Sequence, residues 1–295
     1  MSITLPTIDA LGTTWWIEVF EELDDKRCAV IYTDIRAFLS TFEARYSRFK
    51  ADSSIGILNR TGTIPHPDAE LRELLTFGIS QYERTDGIFN LMVGSALVES
   101  GYDATYSFTA SDTRTAIPTP EEALAVSDQA IVLTRGQVDF GGFGKGWAID
   151  VIARLLREKH HLSYFLINGG GDMFATSDND TPITIYLEHP TETNSYLAET
   201  TLHTQGFAAS SPHKRAWTHA GKTYTHIIDT IGVPRADRPD ATFVKAATAC
   251  TADIFATVAL LATPVQLEKF AADEELGLAR FFIETGTLEQ NAAFI

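Results

Sequence analysis

The stretch VDFGGFGKGWAID at residues 138–150 is the most informative part of the sequence. Its glycines allow a close approach of the backbone, and a helix predicted to begin at Gly144 offers unpaired N–H groups at its start. Lys145 adds a positive charge at the same place. Such a turn suits a phosphate group, although a plain strand-to-helix turn with a surface lysine explains these residues equally well.

Three common motifs are mimicked by this stretch and are excluded. Asp139-Phe140-Gly141 spells the metal-binding triplet of protein kinases, but no His-Arg-Asp catalytic loop or preceding Gly-rich loop accompanies it. A nucleotide-binding phosphate loop would need glycine at the place of Asp139 and Ser or Thr at the place of Gly146. The dinucleotide fingerprint fails on its glycine spacing.

The regions on either side predict an α+β protein rather than a doubly wound parallel sheet, because strands and helices follow one another irregularly. Before about residue 130 the pattern is mainly helical, with apolar faces at 26–42 and 68–82. Short β-like runs then dominate, at 130–134, 164–167, 183–187, 201–208, 223–228, 242–246 and 281–284. Helices are predicted at 144–160, 251–262 and 263–276. No long linker or repeat interrupts the chain, so we expect one domain over 1–295.

Composition excludes several classes of protein. The 295 residues are 44% hydrophobic and 21% charged, which is typical of a globular chain. A formal net charge of -16 disfavours binding to nucleic acids and anionic membranes. The chain lacks a cationic start and any apolar run of about 20 residues, so we expect no membrane span and a cytoplasmic location. Cys28 and Cys250 are predicted to be buried thiols.

Six further blocks occur along the chain in a fixed order. They are LGTT (11–14), DSSIGILN (52–59), TDGIFN (85–90), NGGGD (168–172), HIID (226–229) and TACTADIFAT (248–257). With 138–150, which resembles V-D-L-G-G-x-x-K-G-x-A-x-D, these blocks are similar to those of the ApbE family, the Mg-dependent FAD:protein FMN transferases. The resemblance implies a single α+β, T-fold-like domain with a helix-rich N-terminal part packed on a mixed or antiparallel sheet.

The resemblance implies a Mg²⁺ site formed by the carbonyl of Gly142 and the side chains of Asp253 and Thr257. The residues agree with this, since Asp253 and Thr257 are four apart on a predicted helix and share one face. Mg²⁺ prefers a few protein oxygens together with water and substrate phosphate. From the residues alone, Asp253 could instead complement a helix N-terminus.

The resemblance further implies contacts with FAD. They fall on Leu11, Phe49, Ile88, Phe89, Asn90, Asp139, Lys145 and Ile228. Plain core packing would equally explain the apolar members Leu11, Phe49, Phe89 and Ile228. Catalytic roles are implied for Asp253, for Lys145 and for His226, which could orient a phosphate or assist removal of the acceptor proton. A solvent-facing strand histidine is the alternative for His226.

The sequence departs from the family pattern at several places. Leu11 replaces Met, Asn90 replaces Asp and Gly169 replaces Ile. The loop at 230–234 is one residue short, and the block at 208–211 lacks the expected Ser-Gly pair. These departures concern the flavin side of the predicted site and the choice of acceptor.

The resemblance implies transfer of FMN from FAD to a Ser or Thr of an acceptor flavoprotein that carries a flavinylation motif, with release of AMP. The alternatives are a Mg-dependent FAD pyrophosphatase and a non-catalytic flavin-binding protein. Because FAD is anionic and the chain is acidic, positive charge must be concentrated locally. The segment 201–245 meets this need, with six cations (Lys214, Arg215, Lys222, Arg235, Arg238, Lys245) against three acids (Asp229, Asp237, Asp240).

Overall fold

The computed structural model describes residues 2–177, 181–230 and 238–295. Their strands are β1 Ile3–Thr4, β2 Ile8–Ala10, β3 Thr13–Val19, β4 Thr63–Pro65, β5 Leu124–Val126, β6 Ala130–Leu133, β7 Tyr164–Gly169, β8 Asp172–Ser177, β9 Ile183–Glu188, β10 Tyr196–Leu202, β11 Gln205–Ser210, β12 Ala216–His219, β13 Lys222–Thr225, β14 Ala241–Ala246, β15 Gly277–Phe282 and β16 Thr287–Gln290. Their helices are α1 Asp25–Tyr46, α2 Ser54–Thr61, α3 Ala69–Arg84, α4 Gly94–Glu99, α5 Pro120–Ala123, α6 Gly144–Glu158, α7 Ala249–Leu261 and α8 Pro264–Asp273.

The chain divides into two compact units, each assembled from separated stretches. Unit 1 comprises Met1–Phe42, Phe143–Ser211 and Asp237–Ile295, and unit 2 comprises Glu43–Gly142 and Pro212–Ala236. The predicted α+β class is confirmed, since helices accompany strands that pair antiparallel. The expectation of a single domain over 1–295 stays a prediction.

Unit 1 is built on a nine-stranded sheet in the order β1-β3-β7-β8-β11-β14-β15-β16, with β2 paired to β3. Neighbouring residues of β14 show that both faces of the sheet are covered. Thr242 donates its hydroxyl proton to the carbonyl of Ala256 in α7, at 2.6 Å. The next residue, Phe243, belongs to an apolar cluster with Ile185 of β9 and Leu202 of β10. The β9–β10 hairpin therefore packs on the face opposite to α7.

Helix α7 is apolar almost all round, and eleven of its thirteen residues are buried. Such a helix forms only when every side is enclosed, and α7 contacts α6 together with strands β8, β11 and β14. Gly206 of β11 allows the close approach, because a side chain there would strike the backbone at Thr248, the N-cap of α7. The position of α7 is thus fixed at its first residues.

Unit 2 contains α2 to α5, a three-stranded antiparallel sheet in the order β4-β6-β5, and the β12–β13 hairpin. The side chain of Asn59 forms two hydrogen bonds with the backbone of Val138, just before the glycines. It accepts a hydrogen bond from the Val138 N–H at 2.7 Å and donates to the Val138 carbonyl at 2.9 Å. This exchange fixes the first half of the 138–150 stretch in unit 2.

The long amphipathic and buried segments are where predicted, whereas several boundaries differ. The expected strand at 201–208 is two strands, β10 and β11, separated by His203 and Thr204, which carry no glycine or proline signal. The expected strand at 223–228 ends at Thr225. Strands β1 to β5 lie in the region expected to be mainly helical. Cys250 is buried as predicted, but Cys28 is only half-buried, because its position on α1 faces partly outward.

Within the described ranges, no helix combines the length and apolar character needed to cross a bilayer.

Candidate functional site

In unit 1, a lysine lies between two buried carboxylates. The Nζ of Lys145 lies 2.8 Å from Oδ2 of Asp172 and 3.7 Å from Oδ2 of Asp253. The exposed fractions of the three side chains are 23%, 5% and 8%, respectively. The structure therefore brings together two residues predicted to act on a phosphate and metal, and adds Asp172 to them.

Helices α6 and α7 contact each other near their N-termini, and an acidic side chain of each helix accepts hydrogen bonds from N–H groups at the start of the other. Near the start of α6, the Gly146 N–H donates to Oδ2 of Asp253 at 3.0 Å. In return, Asp150 of α6 accepts hydrogen bonds from the N–H groups of Ala249 (2.8 Å) and Cys250 (2.9 Å) at the start of α7. These N–H groups have no partner within their own helices, so each helix satisfies donors of the other.

Gly146 is required at the point where the two helices meet. A Cβ added to it would lie 2.6 Å from the Cα of Cys250 and 2.7 Å from the carbonyl oxygen of Ala249. Both are backbone atoms that cannot turn aside. The absence of a side chain thus permits the contact through which Asp253 reaches the start of α6.

Asp172 follows a two-residue turn between β7 and β8. Gly170 and Gly171 form the turn with φ of 78° and 102°, a region that favours glycine, and the Gly171 N–H donates to Oδ1 of Asn168 at 2.9 Å. Asp172 is paired with Gly169 directly after the turn. The sequence placed Asp172 in a recognised block but assigned it no role, since only the fold brings it to Lys145.

Burial and mutual repulsion govern the charges of these acids. Burial, together with the nearby Asp172 carboxylate, raises the pKa of Asp253 to about 7, although Lys145 and the Gly146 N–H lower it. Burial likewise raises the pKa of Asp150 to about 6, against the two N–H groups that bind it. Two buried carboxylates share one ammonium, which leaves an excess of negative charge around Asp253.

The donor set fits a divalent cation such as Mg²⁺. Asp253 supplies a carboxylate in a site with excess negative charge, and Thr257 follows one helical turn later, with its Oγ1 3.4 Å from the Ser210 Oγ. Hard oxygens of this kind are what Mg²⁺ prefers, and few of them are needed. In the part of the chain that the structure describes, no group of three or more His, Cys, Asp or Glu side chains is gathered as a metal cage.

Gly142, the third predicted metal ligand, belongs to unit 2. A Cβ added to Gly142 would lie 2.9 Å from Cε2 of Phe89. Ile88, Phe89 and Asn90 are themselves buried there. The hydroxyl of Thr230 donates to the Ile88 carbonyl at 2.9 Å. Unit 2 thus brings together Gly142 and three of the residues predicted to contact FAD.

The hydrogen bonds of Asn90 account for asparagine at a position where the family pattern has aspartate. Its Oδ1 accepts from the Met92 N–H at 2.8 Å, and its Nδ2 donates to the Pro118 carbonyl at 3.1 Å. An ionised aspartate could accept the first bond but could not donate the second. The amide therefore ties together two segments of unit 2 that a carboxylate would leave apart.

Asp139 and Phe49 are both engaged by Arg48. The Arg48 guanidinium forms a buried ion pair with Asp139, which also accepts a hydrogen bond from the Gly141 N–H. The same guanidinium lies 4.1 Å from the centroid of the Phe49 ring, which stacks on Tyr106 at 5.2 Å. Arg48 was not singled out from the sequence, because no local pattern marks it.

Three predicted site residues lie in less buried places. Leu11 and Gly12 form the two-residue turn between β2 and β3, with φ of 53° and 71°, and Leu11 is half-buried. His226 and Ile228 follow the end of β13 and are half-buried. The expected alternative of a solvent-facing strand histidine is therefore wrong for His226, because the strand ends before it.

The cationic segment at 201–245 is only partly described. Residues 231–234 of the shortened loop, together with Arg235 and Asp237, lie outside the described residues. Lys245 is buried in unit 1, where its ammonium donates to the Phe294 carbonyl at 2.6 Å and burial lowers its pKa. Arg215 of unit 2 donates to the hydroxyl of Tyr102 at 3.1 Å. Lys245 therefore has a structural role in the core of unit 1, and its ammonium is not exposed to bind a ligand.

Comparisons with known proteins identify relatives of this chain. A sequence model of the ApbE family matches residues 11–282. An FAD:protein FMN transferase of Salmonella typhimurium is 24% identical, over 78% of this chain and 68% of that protein. One of Escherichia coli K12 is 23% identical, over 92% and 81%.

Solved structures show the same fold. The ApbE protein of Thermotoga maritima has a TM-score of 0.85 at 20% identity, and the match covers 100% of this chain and 98% of that one. The flavin transferase ApbE of Vibrio cholerae has a TM-score of 0.76 at 19% identity, with the same coverage.

Proposed function

The chain belongs to the ApbE family, and from this membership we propose that it transfers FMN from FAD to a Ser or Thr hydroxyl of an acceptor flavoprotein. The cluster of Lys145 and Asp253 at the start of α6 carries the proposal. A helix N-terminus and an ammonium group both favour the pyrophosphate of FAD. The relatives named FAD:protein FMN transferase support the same activity.

The proposed reaction is a displacement at phosphorus. The acceptor hydroxyl oxygen forms a bond to the phosphorus on the FMN side of the pyrophosphate. The bond from that phosphorus to the bridging oxygen breaks, and AMP leaves with the bridging oxygen. His226 takes the proton of the hydroxyl. Lys145 counters the charge that develops on the phosphoryl oxygens, which is the main requirement in phosphoryl transfer.

The proposed metal ligands are Asp253, Thr257 and the carbonyl of Gly142. A bound Mg²⁺ would supply Lewis-acid stabilisation of the phosphate oxygens. Asp253 is held for this role by the Gly146 N–H, and the excess negative charge of its surroundings favours a divalent cation. We assign the FAD contacts to Leu11, Phe49, Ile88, Phe89, Asn90, Asp139, Lys145 and Ile228.

The test is incubation of the protein with FAD, Mg²⁺ and candidate acceptor flavoproteins. We expect AMP release, together with an added FMN on the acceptor in intact-mass spectrometry. Asp253→Ala should abolish both products while the protein stays folded. Asp273→Ala, the same change at an exposed acid at the end of α8, is the matched control and should retain activity.

Two other outcomes would replace the proposal. AMP formed equally fast without acceptor, and no flavin bound to protein, would indicate an FAD pyrophosphatase. FAD binding without any AMP would indicate a non-catalytic flavin-binding protein. The cytoplasmic location stays a prediction, which cell fractionation would test.

A further inference from the structure

Asp172 holds the ammonium of Lys145 more closely than Asp253 does. The Nζ of Lys145 lies 2.8 Å from Oδ2 of Asp172, the distance of a close ion pair, whereas its distance of 3.7 Å to Oδ2 of Asp253 is that of a looser ion pair. Asp172 is nearly inaccessible to solvent, and burial strengthens its attraction for the ammonium. Lys145 therefore rests on Asp172 rather than on Asp253.

The support beneath Asp172 is rigid. Strands β7 and β8 lie inside the nine-stranded sheet, and β7 pairs with β3 as β8 pairs with β11. The turn before Asp172 is closed by the Gly171–Asn168 hydrogen bond, and Gly170 packs directly against Thr13 of β3. Lys145, by contrast, carries its ammonium on a flexible four-carbon stem. The position of Asp172 thus determines where the ammonium rests.

We propose that Asp172 is a positioning residue that holds the Lys145 ammonium away from Asp253, so that the Asp253 carboxylate stays available to a divalent cation. The inference rests on the proposed metal role of Asp253. Among the residues that the structure describes, Lys145 forms ion pairs with Asp172 and Asp253, so the loss of Asp172 leaves the ammonium with the Asp253 carboxylate. The ammonium would then occupy the place of the cation.

The size of the effect follows from Coulomb's law. Moving a unit charge from 3.7 Å to 2.8 Å from a carboxylate, at an effective dielectric constant of about 20, corresponds to about a tenfold change in an equilibrium constant. A cation that must displace the ammonium from this closer position should bind about tenfold more weakly.

The experiment measures Mn²⁺ binding to the full-length protein by electron paramagnetic resonance, without FAD. We expect Asp172→Asn to weaken Mn²⁺ binding about tenfold. Adding Lys145→Met to that variant should restore binding, because the competing ammonium is gone. Unchanged affinity in Asp172→Asn, or no recovery in the double variant, would overturn the proposal. Circular dichroism and thermal unfolding establish that each variant is folded.

A charge-conserving variant separates position from total charge. Asp172→Glu keeps the negative charge but moves the carboxylate by one methylene group, so it should also weaken Mn²⁺ binding. Wild-type affinity in Asp172→Glu would show that net charge alone matters, and would overturn the proposed role.

Failure of the underlying function gives a different pattern. If the unsubstituted protein binds no Mn²⁺, both the metal role of Asp253 and the role of Asp172 are overturned. If the unsubstituted protein binds Mn²⁺ and forms no AMP, the proposed reaction is overturned while the binding comparison of the variants still decides the role of Asp172.

Discussion

Replacing Gly146 by alanine reverses the usual effect of that substitution. In an ordinary helix interior, alanine is more stable than glycine by about 1 kcal/mol. At Gly146 the new Cβ would lie 2.6 Å from the Cα of Cys250 and 2.7 Å from the Ala249 carbonyl oxygen. Real Cβ atoms do not approach backbone so closely, so α7 must move.

The magnitude follows from what that movement disturbs. Overpacking a tight contact costs about 1–3 kcal/mol. Displacement of α7 also weakens the Gly146–Asp253 hydrogen bond and the two bonds that Asp150 accepts, each worth about 1 kcal/mol. If the three bonds together lose about 2 kcal/mol, and the intrinsic gain of about 1 kcal/mol is subtracted, the net loss is about 2–4 kcal/mol.

The assay is urea unfolding at pH 7, followed by circular dichroism and tryptophan fluorescence. Gly78→Ala in α3 is the matched control, because its nearest neighbour is Cδ1 of the Leu91 side chain at 3.0 Å, which can rotate away. We expect Gly78→Ala to change stability by less than about 1 kcal/mol in either direction. If Gly146→Ala is as stable as wild type, the close helix contact does not exist as described, and the reasoning is refuted.

Three further predictions concern buried polar groups. Because the pKa of Asp150 is raised to about 6 in the folded protein, its contribution to stability is lost as pH rises from about 4 to about 6. The free energy of unfolding of Asp150→Asn, measured relative to wild type, should therefore increase by up to about 3 kcal/mol between pH 4 and pH 6. A difference between the two proteins that stays constant over this pH range would contradict the prediction. Arg48→Met leaves the buried Asp139 carboxylate unpaired and should cost about 3–5 kcal/mol in thermal unfolding. Adding Asp139→Asn should recover part of it, and additive losses would show that the pair is not coupled. Asn90→Asp removes the bond donated to Pro118 and should cost about 1–3 kcal/mol in urea, so an unchanged midpoint would show that this bond contributes nothing.

The sequence predicted the elements whose signal is local. Helix α7 is predictable because its thirteen residues include few polar side chains, and the spacing of Asp253 and Thr257 places them one turn apart. The sequence predicts one strand over 201–208 in place of two, because His203 and Thr204 are not residues that typically mark a turn. The turn at Leu11 is likewise not visible in the sequence. Leucine rarely adopts a left-handed backbone conformation, and here the pairing of β2 with β3 requires it.

The cluster around Lys145 could be predicted only in part, because its partners are distant along the chain. Asp172 is 27 positions from Lys145, and Asp150 is about 100 positions from the N–H groups that it binds. No periodicity links such residues. The family resemblance identifies Lys145 and Asp253 as site residues. Only the structure identifies Asp172, through the sheet, and Asp150, through the contact between α6 and α7.

The division of the chain into interleaved stretches has a consequence for inheritance. Unit 2 is encoded by two separate gene segments, 43–142 and 212–236, with part of unit 1 between them. A single recombination event between two related genes therefore cannot exchange one unit intact. Exchange of unit 2 alone would require four crossovers, one at each end of its two segments.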